Sequence, residues 1–238
     1  MGNITFLGVE GSGKTVLTMA LVNAFKKYER QGYFLRPETR GAFRFTAQVP
    51  DPITPDNLPH QTVSLKQLAW SVVRDGEVIR PMDVLDYPGE LYRLAFLDAE
   101  DDPDPEGFKA RVNAHHDEIT AMLQHLFDSD RVFVLFNFDD AIDLDKNAAN
   151  LDAVWVTNAC LDFLGRLPHH PKVTLLLTQV DRYCDLSLYT INIPLYLNRY
   201  LPLIKRNFPD LDIELVSVFG PNNNMVGVDE VIRRCMEA

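Results

Sequence analysis

The sequence predicts an α/β protein built on a doubly wound, mostly parallel sheet of six strands. Three observations carry that expectation. Short apolar runs alternate with helix-period segments along most of the chain. The run at 132–136, Val-Phe-Val-Leu-Phe, has no polar alternation, as a strand buried on both faces requires. Residues 8–15 read Gly-Val-Glu-Gly-Ser-Gly-Lys-Thr, which satisfies G-x-x-x-x-G-K-[ST] between an apolar run and a helical one.

Taken in order, residues 4–7 (Ile-Thr-Phe-Leu) read as the first strand, and a helix opens at Val16 and runs to about Tyr28. From 36 to 61 the chain carries Pro37, Pro50, Pro52, Pro55 and Pro59, and a long irregular loop is expected there. Residues 62–73 read as the second strand. Asp75-Gly76 forms a hairpin turn into the third, at 82–85. Residues 98–106 hold six carboxylates and two prolines, so an acidic, solvated insertion is expected over about 98–110, before a helix at 112–127. Strands at 132–136, 173–177 and 213–216 alternate with helices at 148–164, 188–208 (interrupted by Pro194 and Pro202) and 228–237. No repeat or low-complexity linker divides the chain, and one domain over 1–238 is expected.

Composition narrows the function classes. The chain has 238 residues, 23 basic against 34 acidic side chains and a net charge of −11. A nucleic-acid or anionic-membrane surface needs clustered Lys and Arg, so neither partner is expected. Cys160, Cys184 and Cys235 have no metal spacing and no paired framework, which fits a reducing, cytoplasmic setting. No apolar run reaches the roughly 18 residues of a membrane span. No membrane anchor is expected either: Met1-Gly2 is followed by Phe6 where myristoylation needs Ser or Thr, and Glu237 spoils the terminal Cys235 box.

The chemistry concentrates at the predicted strand ends, where open α/β sheets bind ligands. Gly8, Glu10, Gly11, Ser12, Gly13, Lys14, Thr15 and Val16 would wrap backbone N–H groups around a phosphate at a helix N-terminus. Lys14 would reach the β- and γ-oxygens, and the Thr15 hydroxyl would hold Mg²⁺. Asp86 ends the third strand, where a carboxylate holds Mg²⁺ through water, and Gly89 completes D-x-x-G, so its N–H can approach a γ-phosphate. Thr178-Gln179-Val180-Asp181 closes the strand at 173–177. A carboxylate at 181 accepts from guanine N1–H and the exocyclic amine, whereas adenine leaves it unpaired. Ser217, Val218 and Phe219 end the last strand; a backbone N–H to guanine O6 and a simple strand cap both remain open there.

The order P-loop, D-x-x-G, [NT]-[KQ]-x-D, S-x-x resembles the translation-factor class of GTPases within the Ras-like superfamily. The forms Gly11-Ser12-Gly13-Lys14-Thr15 and Asp86-Tyr87-Pro88-Gly89-Glu90 look like the prokaryotic double-GTPase proteins. The resemblance implies a G-domain sheet of order 2-3-1-4-5-6 with one antiparallel hairpin. It also implies a Mg²⁺-dependent switch that turns GTP into GDP and phosphate, aided by an effector or GTPase-activating protein. Two residues depart from the pattern. Gln179 replaces a lysine whose stem covers the base, and Glu90 replaces the glutamine that orients the attacking water. Glu90, Lys14 and Thr62 are the candidate catalytic residues. Thr62 is the expected switch I threonine and third Mg²⁺ ligand, with Thr54, Thr39 and Thr46 as alternatives, and Arg36, Arg40 or Arg44 as a possible arginine finger.

Two other readings stay open on sequence alone: an ATP-dependent phosphotransferase and a nucleotide-binding scaffold of low turnover. The first needs an arginine-rich lid, and no such segment follows the D-x-x-G element. His115, His116, Asp117 and Glu118 with His125 align along one predicted helix, where solvated surface is the expectation.

Overall fold

The structure, a computed structural model, describes residues 3–58, 66–86, 89–137, 148–180, 208, 211–219 and 225–237, with backbone alone for 66–67, 85–86 and 148–152. Among the described residues seven strands form one mixed sheet: β1 (Asn3–Gly8), β2 (Tyr33–Pro37), β3 (Lys66–Arg74), β4 (Glu77–Asp86), β5 (Ser129–Asn137), β6 (Lys172–Thr178) and β7 (Asp212–Val216). The order across the sheet is β2-β3-β4-β1-β5-β6-β7. Strands β4, β1, β5, β6 and β7 run parallel, and β2 and β3 are antiparallel to their neighbours.

Strand β5 explains how one sheet supports two cores. Successive side chains point to opposite faces. Val132, Val134 and Phe136 join one apolar cluster, while Phe133 and Leu135 join the other. The first face is covered by α3 (Gly89–Phe96), α5 (His116–Phe127) and α6 (Ala148–Arg166), through Leu91, Met122, Leu126, Leu161 and Leu164. The second is covered by α1 (Lys14–Tyr28) and α7 (Val228–Met236), through Leu17, Leu21, Phe25, Val231 and Ile232. Phe6 and Phe133 stack with centroids 4.7 Å apart at the middle of that face. Helices α2 (Arg40–Gln48) and α4 (Pro105–Ala114) complete the described elements.

Several expectations are corrected. The sheet has seven strands instead of six, so the order 2-3-1-4-5-6 does not hold as stated. The additional strand, β2, lies at the sheet edge beside the hairpin and adds a second antiparallel pairing. Its alternation is only five residues long, with Tyr33, Leu35 and Pro37 turned partly inward and Phe34 and Arg36 exposed. A run that short ending in proline gives little strand signal. The stretch 36–61 is not one irregular loop: it carries the end of β2, helix α2 and a single 3₁₀ turn at Pro55–Asn57. Thr39 supplies the N-cap of α2 by accepting from Ala42 N at 3.1 Å. The acidic insertion is likewise folded, into a 3₁₀ turn at Ala99–Asp101 and helix α4, whose N-cap Asp104 accepts from Gly107 N at 3.0 Å. One helix expected at 112–127 is therefore two. The predicted helix at 188–208 lies almost wholly outside the described residues, as does Cys184.

Candidate functional site

Strand β1 ends at Gly8, and the chain turns through five residues into α1. Gly11 (φ 75°) and Gly13 (φ 84°) take left-handed backbone conformations that side chains disfavour, which accounts for both glycines. The turn leaves the first N–H groups of α1 facing outward at the positive end of the helix dipole. Lys14, the first helical residue, is only 7% exposed. Its ammonium folds back and donates to Gly8 O at 2.6 Å and Val9 O at 3.0 Å, and it lies 5.6 Å over the buried ring of Tyr92. Thr15 follows at the second helical position.

The D-x-x-G glycine meets this turn from one side. Gly89 begins α3, and a methyl group built on it would lie 2.6 Å from Glu10 N and 2.8 Å from Glu10 Cα. Only a residue without a side chain brings the α3 backbone this near the turn. Strand β4 runs parallel to β1 in the register Ile4↔Met82 and Phe6↔Val84, so Asp86 ends β4 at about the level of Gly8. Nothing is described of the Asp86 side chain, and Tyr87 and Pro88 lie outside the described residues. By their chemistry a threonine hydroxyl and an aspartate carboxylate are hard-oxygen donors of the kind that Mg²⁺ takes alongside phosphate oxygens.

The third predicted motif meets the turn from the opposite side. Thr178 Oγ1 donates to Ser12 O at 2.8 Å, with Phe136 O at 3.4 Å. Gln179, at φ 60°, donates from Nε2 to Gly11 O at 2.7 Å. The shorter side chain that departs from the lysine pattern is thus tied to the turn between β1 and α1. Asp181 lies outside the described residues. Ser217 is buried and exchanges two backbone hydrogen bonds with Val226, 3.0 and 2.8 Å, which close the base of the loop that follows β7. From that loop Val218 and Phe219 border a cavity of about 580 Å³, whose other walls are the second half of α1 and residues 51–54. Gly220 lies outside the described residues.

Thr62 also lies outside the described residues. Its three alternatives have structural duties: Thr39 caps α2, Thr46 Oγ1 accepts from Trp70 Nε1 at 3.1 Å, and Thr54 begins the capping box of the 3₁₀ turn. Of the arginine-finger candidates, Arg36 pairs with Glu38 at 2.8 Å, and Arg40 and Arg44 are exposed on α2. His115 Nδ1 pairs with Glu118 Oε2 at 2.6 Å in solvent, and His125 points elsewhere, 3.8 Å from Asp83 on β4. Among the described residues no group of three or more His, Cys, Asp or Glu side chains could hold a metal ion. Nor is any described helix long and apolar enough to cross a membrane.

Sequence reasoning missed the partners of Glu90. Arg111 of α4 places Nε 3.6 Å from Glu90 Oε1, and both Arg111 and Arg93 reach the buried carboxylate of Asp102. Asp102 belongs to the run read as solvated. Its one distinguishing signal was an arginine at 111, on a segment not read as helical before 112.

No family model matches the chain, and no curated protein matches it. Among solved structures, the chain is similar to the S. cerevisiae Ski7 GTPase-like domain bound to GTP. That match has 14% identity and a TM-score of 0.45 and covers 90% of this chain and 42% of that one. The same domain bound to GDP and inorganic phosphate matches at 13% identity and TM-score 0.44, with the same coverage. An ADP-ribosylation factor-like GTP-binding protein, the small COPII coat GTPase SAR1 from Encephalitozoon cuniculi in complex with GDP, matches at 12% identity and TM-score 0.40, over 91% of this chain and 68% of that one. The chain spans less than half the length of the first two structures.

Proposed function

We propose that the chain is a guanine-nucleotide-binding switch that hydrolyses GTP slowly to GDP and phosphate and is accelerated by a protein partner. One observation carries the reading: Gly89 from D-x-x-G, and Thr178 and Gln179 from the [NT]-[KQ]-x-D segment, all touch the turn between Gly8 and Lys14. Motifs far apart in sequence converge on one turn, whose form supports the phosphate reading. In this reading the ammonium of Lys14 leaves the carbonyls of Gly8 and Val9 for the β- and γ-oxygens. Gly11 to Val16 donate backbone N–H groups, Gly89 N–H senses the third phosphate, Asp181 reads the base, and Ser217 to Phe219 close over it. Thr15, Asp86 and Thr62 would hold Mg²⁺, which would supply positive charge to offset that of the phosphate oxygens.

Phosphoryl transfer is governed by positioning and charge stabilisation. Glu90 adds a carboxylate near the expected path of the attacking water, so intrinsic turnover is expected on the slow unassisted scale, roughly 10⁻⁴ to 10⁻² s⁻¹. Titration with labelled GTP and ATP in Mg²⁺, followed by a phosphate-release assay, tests the reading. GTP is expected to bind more tightly, with phosphate appearing in water. Equal or tighter ATP binding removes the guanine assignment, and transfer of phosphate to a second small molecule turns the chain into a phosphotransferase.

A further inference from the structure

A carboxylate beside a triphosphate adds negative charge where a third phosphate brings more. Glu90 follows Gly89 directly, and its partner, Arg111, lies on α4 just past the stretch expected to be a solvated insertion. Arg111 Nε is 3.6 Å from Glu90 Oε1. A second nitrogen of the same guanidinium donates to Asp102 Oδ2 at 3.3 Å, and Arg93 of α3 reaches that oxygen at 3.0 Å. The Asp102 side chain is 4% exposed, and its other oxygen accepts from Asp104 N at 2.9 Å. The guanidinium carbon also lies 5.9 Å over the ring of buried Phe108. Asp102 and Phe108 hold Arg111 on the insertion side, and Glu90 meets it on the α3 side. A carboxylate this buried needs cations beside it, and Asp102 has two, Arg93 and Arg111.

We propose that Arg111 is a positioning residue of the γ-phosphate site: held by Asp102 and Phe108, it neutralises Glu90 and so allows this carboxylate to stand beside a triphosphate. The proposal rests on the nucleotide-switch reading above. It gives the folded acidic insertion a duty, since α4 carries Arg111 and Asp102 also ties Arg93 of α3. It concerns the third phosphate alone, because a diphosphate leaves the place next to Gly89 empty of charge.

The test is an equilibrium titration of the full chain with GDP and with a non-hydrolysable GTP analogue in excess Mg²⁺, for wild type, R111A, R111K, E90Q and R111A/E90Q. Thermal melts without nucleotide check that each variant folds, and R111K with R111Q carries the comparison if R111A does not. Relative to GDP, R111A is expected to weaken the analogue by about fivefold or more, as loss of a compensating charge at a partly exposed site would. GDP affinity stays within about twofold, R111K keeps most of the discrimination, and R111A/E90Q returns to the E90Q ratio. An equal loss for both nucleotides would make Arg111 a support of α4 only and overturns the proposal. So does a loss that persists when Glu90 is already neutral, or no loss at all. A wild-type chain that binds neither nucleotide overturns the switch reading itself, and is recognised before any variant is made.

Discussion

A buried ammonium needs oxygens around it, and Lys14 finds them in the backbone of its own loop at Gly8 and Val9. On the proposed reading the same ammonium serves phosphate, because carbonyl and phosphoryl oxygens make the same demand on an N–H donor. In Lys14→Ala the charged hydrogen bonds that the ammonium would make to the β- and γ-oxygens are lost, each worth about 1.5–3 kcal/mol. Triphosphate affinity is expected to fall by about 100-fold or more, measured by titration with a fluorescent nucleotide, and unchanged affinity would end the phosphate-loop assignment. Gly89 is constrained by space. A methyl group there meets Glu10 N at 2.6 Å and Glu10 Cα at 2.8 Å, so Gly89→Ala must push α3 from the loop. Overpacking of this kind costs about 1–3 kcal/mol. A denaturant titration should show that loss together with weaker triphosphate binding; full retention of both would mean that the approach of α3 to the loop is not needed.

At the scale of elements, the seam between β4 and α5 holds a titratable pair, Asp83 and His125, 3.8 Å apart. Burial outweighs their attraction on both sides. It lowers the proton affinity of His125 from its ordinary 6.5 and raises that of Asp83 from 3.8. Asp128 also favours the charged histidine, but less than burial opposes it. Between the lowered folded value and 6.5 the unfolded chain binds more protons at His125, so stability falls as pH drops through that window. Asp83 acts in the opposite sense: from its raised value down to 3.8 the folded chain binds more protons, and stability recovers. Melting curves from neutral pH downward should show a decline beginning just below 6.5, absent in His125→Gln. A decline of equal size in both proteins would move its cause elsewhere. The sequence made neither the pair nor the division of the 112–127 helix visible, since the first depends on where α5 lies against the sheet and the second on where α4 ends. What was legible were strands with long apolar runs, such as β5 and β6, and the turn between β1 and α1, where Gly11 and Gly13 meet the backbone's demand for positive φ. Edge strand β2 and helix α2 were not, because their order comes from packing against β3, with the Trp70–Thr46 hydrogen bond as one tie. Asp102 was misread for a related reason: a carboxylate looks solvated until the two arginines that bury it are found.

For the whole molecule, the problem is electrostatic. On the proposed reading a chain of net charge −11 binds a polyanion, so the attraction has to be local. It is concentrated where α1 begins, with Lys14 and the outward N–H groups, and it joins the two halves of the sheet. Gly89 arrives from β4 on one side of β1, and Thr178 and Gln179 arrive from β6 on the other. A ligand seated there contacts elements from both halves and is expected to stabilise the fold as a unit. A ligand at 100 times its dissociation constant adds about 2.7 kcal/mol, and each kcal/mol raises the melting temperature by about 2–4 °C in a chain of this size. Melting with GTP, GDP or ATP at equal concentration in Mg²⁺ should therefore give a rise of roughly 5–10 °C for saturating guanine nucleotides. ATP should give clearly less. Asp181→Asn should remove the difference between GTP and ATP, because an amide offers only one of the two acceptors that guanine requires. Lys14→Ala should remove the rise with every nucleotide. If ATP matches GTP in the wild type, Asp181 has no part in base selection; if Lys14→Ala still gains the full rise, the nucleotide binds somewhere other than the turn on which these motifs converge.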